Sequence, residues 1–231
     1  MVSGFYRRLS GRYSVVRTQR KRFVIMKRPI ERIRLSGLHD AIRSGSMDEV
    51  KRLLANDPEL AHAKFQGSFA LNVACDAGHL SIVELLIVDS KVDPNQASDH
   101  DTTPLWTAIF RARIELIRLL HKLGADLNRD SSSGTPLESA IFGGGSREIV
   151  ELLLDLGARA NLPLHTAALG GSPAVVRLFL ELGYDANEQD REQQTPLSIA
   201  RKRPHKKIES LLLEAGALMP RQVAANRRQQ K

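Results

Sequence analysis

Apolar positions in this chain recur at the spacing of short helices, and the recurrence itself repeats. Ile82, Val83, Leu85, Leu86 and Ile87 crowd one side of a 3.6-residue period, and Ile114, Leu116, Ile117 and Leu120 do the same further on. Each such stretch follows a shorter phrase that begins with Leu and ends with Ala. The phrase occurs six times, at Leu38–Ala41, Leu71–Ala74, Leu105–Ala108, Leu137–Ala140, Leu164–Ala167 and Leu197–Ala200, with steps of 33, 34, 32, 27 and 33 residues. Thr103-Pro104, Thr135-Pro136 and Thr195-Pro196 stand before three of the phrases. Thr can cap the free N–H groups of a helix start, and Pro suits the first turn because its φ is preset and it lacks an N–H. Gly124, Gly157, Gly183 and Gly216 follow the Leu-rich stretches, where a left-handed residue ends a helix. The pattern predicts pairs of short helices whose apolar faces are too small to bury alone, so that stacked neighbours share one core.

These residues resemble the ankyrin repeat family. Its pattern runs Thr-Pro-Leu-His-x-Ala, then a Val-x-x-Leu-Leu helix, then Gly-Ala-Asp-x-Asn. Thr103-Pro104-Leu105 opens one such unit, and Leu119-Leu120 with Gly124-Ala125-Asp126-Leu127-Asn128 closes it. Thr135-Pro136-Leu137 and Thr195-Pro196-Leu197 open two more. The resemblance implies an all-α repeat solenoid with projecting β-turn fingers, in units 36–66, 67–100, 101–132, 133–161, 162–192 and 193–217. The Trp/Tyr pattern of tetratricopeptide arrays, which share a similar period, is absent. Polar first and last units fit the capping role of terminal repeats.

One join is abnormal. Asn161 is followed at once by Leu162-Pro163-Leu164, and the step of 27 measures a missing finger. A notch in the row of fingers is expected there. Gly143-Gly144-Gly145 loosens the turn of the fourth unit, but the Gly-Lys-Ser/Thr ending of a phosphate loop does not follow it.

Charge divides the chain more sharply than its net +8 suggests: residues 1–34 carry +10, residues 35–200 carry −9 and residues 201–231 carry +7. Residues 1–35 and 218–231 are expected to be disordered basic tails. The N-terminal arm is also Arg-rich and acid-poor, as organelle transit peptides are, and Met26 offers an alternative start. Basic ends can bind nucleic acid or an anionic surface. Arg201-Lys202-Arg203-Pro204-His205-Lys206-Lys207 reads either as the solvated face of a capping repeat or as a basic nuclear address. Cys75 is the single cysteine and follows Ala74 in a predicted inner helix, where a buried inert thiol is expected. Cysteine scarcity fits a reducing compartment such as the cytoplasm, and with no long apolar run no transmembrane helix is expected; a monomer is expected as well.

No catalytic constellation stands in the sequence: His-Glu-x-x-His, Cys-x-x-Cys and Gly-x-Ser-x-Gly are all absent, and no cofactor or metal is expected. His39 and His165 occupy the family's Leu-His position, for which the resemblance implies a structural hydrogen bond. The resemblance also implies that a protein partner meets the finger tips and the exposed side of the first helices. By register these are Phe65, Gln66, Ser68, Asp99, His100, Thr102, Ser131 and Ser132 at the tips, and Arg43, Asp76, Phe110, Arg111, Phe142, Leu169 and Lys202 on the helices. Trp106 lies four residues before Phe110, on the same helix side. Trp106, Phe110, Phe142 and Leu169 are therefore expected to form an apolar strip for a protein partner. The alternative is that the rings fill gaps between repeats. Asp99, Asp101, Asp130, Asp190 and Glu192 add negative charge near the tips, which would suit a partner with a basic rim.

Overall fold

The 33-residue pattern becomes six helix pairs. The computed structural model describes residues 13–17, 23–131, 134–142, 146–203 and 205–229, giving only the backbone for 13–17, 23–31 and 226–229. The described residues fall into two compact units, divided after Val92.

The first unit begins with two strands, β1 (Tyr13–Arg17) and β2 (Phe23–Lys27), paired antiparallel with Val15 opposite Ile25. Helix α1 (Arg28–Arg43) follows directly. The described part of the supposed disordered arm is thus regular structure, and the first helix starts eight residues before position 36. Val15, Val16, Val24 and Ile25 favour strands, a local propensity that overall charge does not reveal. Helix α2 (Met47–Asn56) packs on α1, and a finger of two short strands, β3 (Lys64–Phe65) and β4 (Ser68–Phe69), leads into α3 (Ala70–Ala77). Helix α4 (Leu80–Glu84) continues into a π turn, Leu85–Asp89. Here the 34-residue step acquires its meaning. Ser90 N–H donates to Leu85 O and Val92 N–H to Leu86 O (3.0 Å), where another repeat closes with Ala125 N–H on Leu120 O. One extra residue is absorbed by a wider turn, and Lys91 takes the left-handed conformation (φ 56°) that glycine takes elsewhere.

The second unit comprises the pairs α5 (Pro104–Phe110) and α6 (Ile114–Lys122), α7 (Pro136–Phe142) and α8 (Arg147–Asp155), α9 (Pro163–Gly170) and α10 (Pro173–Glu181), and α11 (Pro196–Lys202) and α12 (Lys206–Glu214). The inner helices α5, α7, α9 and α11 pack side by side in that order. Their leucines Leu105, Leu137, Leu164 and Leu197 are all buried. The predicted caps form: Thr103 Oγ1 accepts Trp106 N–H (3.1 Å), and Thr195 exchanges bonds with Ser198 in a capping box. A last helix, α13 (Pro220–Gln229), occupies the supposed disordered tail. Gln222 Oε1 accepts the Met219 N–H that would otherwise be free, and Val223 is buried.

The fingers are tied by an asparagine ladder. Asn95 Nδ2 donates to Gly124 O (3.0 Å) while its Oδ1 accepts Asp126 N–H (2.7 Å). Asn128 brackets Gly157 O and Arg159 N–H in the same way, and Asn187 brackets Gly216 O and Leu218 N–H. Asn161 is the residue whose finger is missing, and its exposed side chain makes no such bracket. The chain turns there at Leu162, left-handed at φ 52°, straight into α9. The notch is present and the helices still stack across it. Arg147 ties α8 to α10 by donating to Glu181 (2.7 Å) and to Glu151 (2.7 Å). Asn128→Ala is therefore expected to cost about 1–2 kcal/mol, since two hydrogen bonds to the backbone go at once, and Asn161→Ala less than about 0.5 kcal/mol. Urea midpoints of the two variants compare these costs directly.

Candidate functional site: the exposed side of the inner helices

Four helices in register bring their exposed residues into one column. Each inner helix is only two turns long, so its Leu and Ala face the core and the residue two past the Ala points away from it. At that position Phe110 is 63% exposed, Phe142 48% and Leu169 37%. The rings do not fill gaps between repeats. Trp106 is half-buried and stacks on Phe110, with centroids 5.1 Å apart and planes 7° from parallel. Arg111 places its guanidinium over the Phe110 ring, 5.9 Å from its centre. Parallel packing of α5, α7 and α9 makes these residues a continuous apolar strip, where most apolar side chains of the unit are buried. The missing finger lies beside it, at Asn161–Leu162. Gly170 sets the tightness of the strip, because a Cβ there would stand 2.9 Å from Ile141 O.

The remaining predicted positions differ in character. In the first unit, Phe65 is half-buried and sets its ring edge-on to His39 at 5.3 Å, so it packs more than it projects. Gln66 is exposed with φ 52°, at the turn of its finger, and Asp76 is exposed on α3. In the second unit Asp99 and His100 are exposed, whereas Thr102 is half-buried and its hydroxyl bonds Ser98 Oγ to close the finger. Asp190 likewise spends its carboxylate on the turn, accepting Glu192 N–H (2.9 Å) and Gln194 N–H (2.8 Å). Part of the negative charge expected at the tips is thus structural. Ser132 and Gly143–Gly145 lie outside the described residues.

The histidines also separate. His165 is buried with Nε2 3.0 Å from Gln194 O, the structural bond implied by the resemblance. His39 is 1% exposed, yet its Nε2 has no hydrogen-bond partner, and the Phe65 ring packs T-shaped against the imidazole. Burial, and then the charge of Arg43, lowers its pKa from 6.5 to about 4, against a smaller raising effect of Asp40. The unfolded chain therefore binds a proton that the folded chain refuses. The stability His39 contributes is complete above its unfolded pKa of 6.5 and is lost as pH falls from there toward 4. His39→Asn, which copies Asn72 in the next unit, is expected to lose about 5 °C less in Tm between pH 7 and pH 4.5 than the parent does. Thermal melts at the two pH values measure this difference.

Burial, and then the charge of Asp76, pushes the Cys75 thiol far up, so it is a core residue without nucleophilic character. Among the described residues no three His, Cys, Asp or Glu side chains come together in a metal-binding group, and no helix is long and apolar enough to cross a membrane. One feature escaped the sequence reading. Beside the π turn, Leu54, Pro58, Leu85 and Asp89 line an open cavity of about 430 Å³. Its only trace in the sequence is the 34-residue step.

Similarity to known proteins agrees with this architecture. A family model described as ankyrin repeats in three copies matches residues 28–98 and 88–163, and one for ankyrin repeats in many copies matches 153–200. The ankyrin repeat domain of human ASB11 superposes with a TM-score of 0.65 at 24% identity, covering 78% of this chain and 84% of that one. The Caenorhabditis elegans homologue of transient receptor potential cation channel subfamily A member 1 is 27% identical over 78% of this chain. Human ankyrin repeat and SOCS box protein 11 is 34% identical over 43% of it. The chain spans only 13% of the first of these two proteins and 30% of the second. Its helix pairs, finger brackets and family matches run through most of its length, and the chain belongs to the ankyrin repeat family, an all-α solenoid fold of protein–protein interaction.

Proposed function

We propose that the protein is a non-enzymatic interaction module that docks a protein partner on the exposed side of α5, α7 and α9. The observation that carries this reading is the exposure of Phe110, Phe142 and Leu169 at one register position on three adjacent helices. Aromatic anchors displayed on a rigid support concentrate binding energy, because little conformational entropy is lost when the partner arrives. The stacked core supplies that rigidity, and the protein acts as a monomer in this reading. A single buried cysteine suits a reducing compartment such as the cytoplasm.

The full chain and its Phe110→Glu/Phe142→Glu variant, used side by side as baits in source-cell lysate, test the reading. Both positions are exposed, so circular dichroism and Tm are expected to match. A specific protein recovered by the parent and lost with the variant supports the strip. Identical recovery by both baits removes it.

A second reading follows from Lys202, Arg203, Lys206 and Lys207, all exposed around the start of α12. It assigns binding of nucleic acid or an anionic surface to the basic ends. Such binding would fall steeply with added salt and would be indifferent to Phe110 and Phe142.

A further inference from the structure

Carboxylates are distributed unevenly over the second unit. Residues 93–200 hold 15 Asp and Glu against nine Lys and Arg. The inner-helix segments 104–111, 136–142, 163–170 and 196–203 hold one carboxylate between them, Glu138. That group is turned back on its own helix start, where Oε2 accepts Thr135 N–H at 3.0 Å. The negative charge therefore sits on the fingers and the outer helices, and the floor between them carries none that faces outward. At the α11 end the floor becomes cationic. Arg201 is paired with Glu209 (2.6 Å), and Lys202 donates to the amide of Gln194, which leaves its charge without a carboxylate. Arg203 is exposed beside them.

Resting on the docking reading above, we infer that the partner segment is an acidic amphipathic helix. Its apolar stripe lies on Trp106, Phe110, Phe142 and Leu169, and its carboxylates lie over Lys202 and Arg203. Charge complementarity selects the acidic end, since an apolar strip running into unneutralised cations favours a ligand with the opposite order. The notch selects a helix over a strand. A complete finger would wall the floor between α7 and α9; the chain instead turns at Leu162 straight into α9, so no finger stands in the way of a helix, an element about 10 Å across. Inner helices spaced about 9 Å apart put α5 and α11 about 27 Å apart, the length of about 18 helical residues. Contacts with Phe110, Phe142 and Leu169 about 9 Å apart are met most nearly by partner positions i, i+7 and i+14, which follow one another at about 10.5 Å on a single helix face.

Phage-displayed random 18-residue peptides selected against the full chain provide the probe, and the best binder is then synthesised and its affinity measured by fluorescence anisotropy. The expected winners carry apolar residues at helical spacing and a net negative charge. Their affinity is expected to fall at least tenfold with Phe110→Glu and about tenfold with Lys202→Glu/Arg203→Glu, with Arg203→Glu alone as a milder variant should the double one misfold. Neutral or basic winners, or winners indifferent to the charge reversal, overturn the acidic helix and leave the strip standing. If no binder depends on Phe110, the strip and the helix fall together. A fluorescein-labelled oligothymidylate that needs Lys202 and Arg203 but not Phe110 would assign the cations to nucleic acid and also overturn the proposal.

Discussion

Phe179→Ala is expected to destabilise the protein by about 4 kcal/mol, the largest loss from any single truncation proposed for this chain. Phe179 is fully buried in α10, and Tyr184 meets its ring edge-on at 5.2 Å. Counting back from the helix-ending glycine, the same place holds Leu120, Leu153 and Leu212 in the other units of this half. Tyr184 in turn replaces Ala125, Ala158 and Ala217. The unit that follows the missing finger is thus the one that carries an aromatic pair in place of Leu and Ala. Truncation removes the transfer energy of the ring and leaves a cavity that packed helices fill only in part. Urea denaturation should show a midpoint shift without a change in slope, and the Tm should fall by about 10 °C. Phe179→Leu restores the common pattern and should cost about 1 kcal/mol, because most of the volume remains. If Phe179→Ala costs no more than Phe179→Leu, the ring is not what holds this joint.

Gly170→Val is expected to cost about 2–3 kcal/mol and to weaken partner binding as well. The obstacle is the carbonyl oxygen of Ile141, a backbone atom that cannot rotate aside. A side chain at Gly170 must push α9 from α7, and those helices carry Leu169 and Phe142. The strip would then open at its middle. Gly170→Ala is the milder test of the same contact. Chemical denaturation gives the stability cost, and affinity for a strip-dependent peptide gives the functional one. Unchanged affinity in a folded Gly170→Ala protein would mean that the floor tolerates a shift between these two helices.

Both predictions lie at the joint the sequence marks as short, so it matters which of its features were legible. The step of 27 residues announced the missing finger because deletion changes a count, and counts survive folding. The Phe110, Phe142 and Leu169 column was legible for a similar reason, since register along a two-turn helix is local. Stacking of Trp106 on Phe110 was not, because two residues four apart share a side of a helix without fixing their rotamers. Nor did sequence reveal the Arg147–Glu181 tie, which joins residues 34 positions apart. The N-terminal arm misled for another reason. Its charge suggested disorder, while the adjacent β-branched pairs Val15-Val16 and Val24-Ile25 inside it favour the strands. The same holds for α13, where a short helix is fastened by Gln222 and by the burial of Val223.

The chain by itself determined the helix pairs, their order, the caps and the helix-ending glycines, since each of these depends on residues within a few positions of one another. It also determined which positions leave the core. Tertiary packing decided the rest. It tied Arg147 to Glu181, set Asn128 between Gly157 O and Arg159 N–H, and brought Gly170 against Ile141 O. Those outcomes depend on which distant groups arrive within hydrogen-bonding reach, a quantity that no local pattern contains.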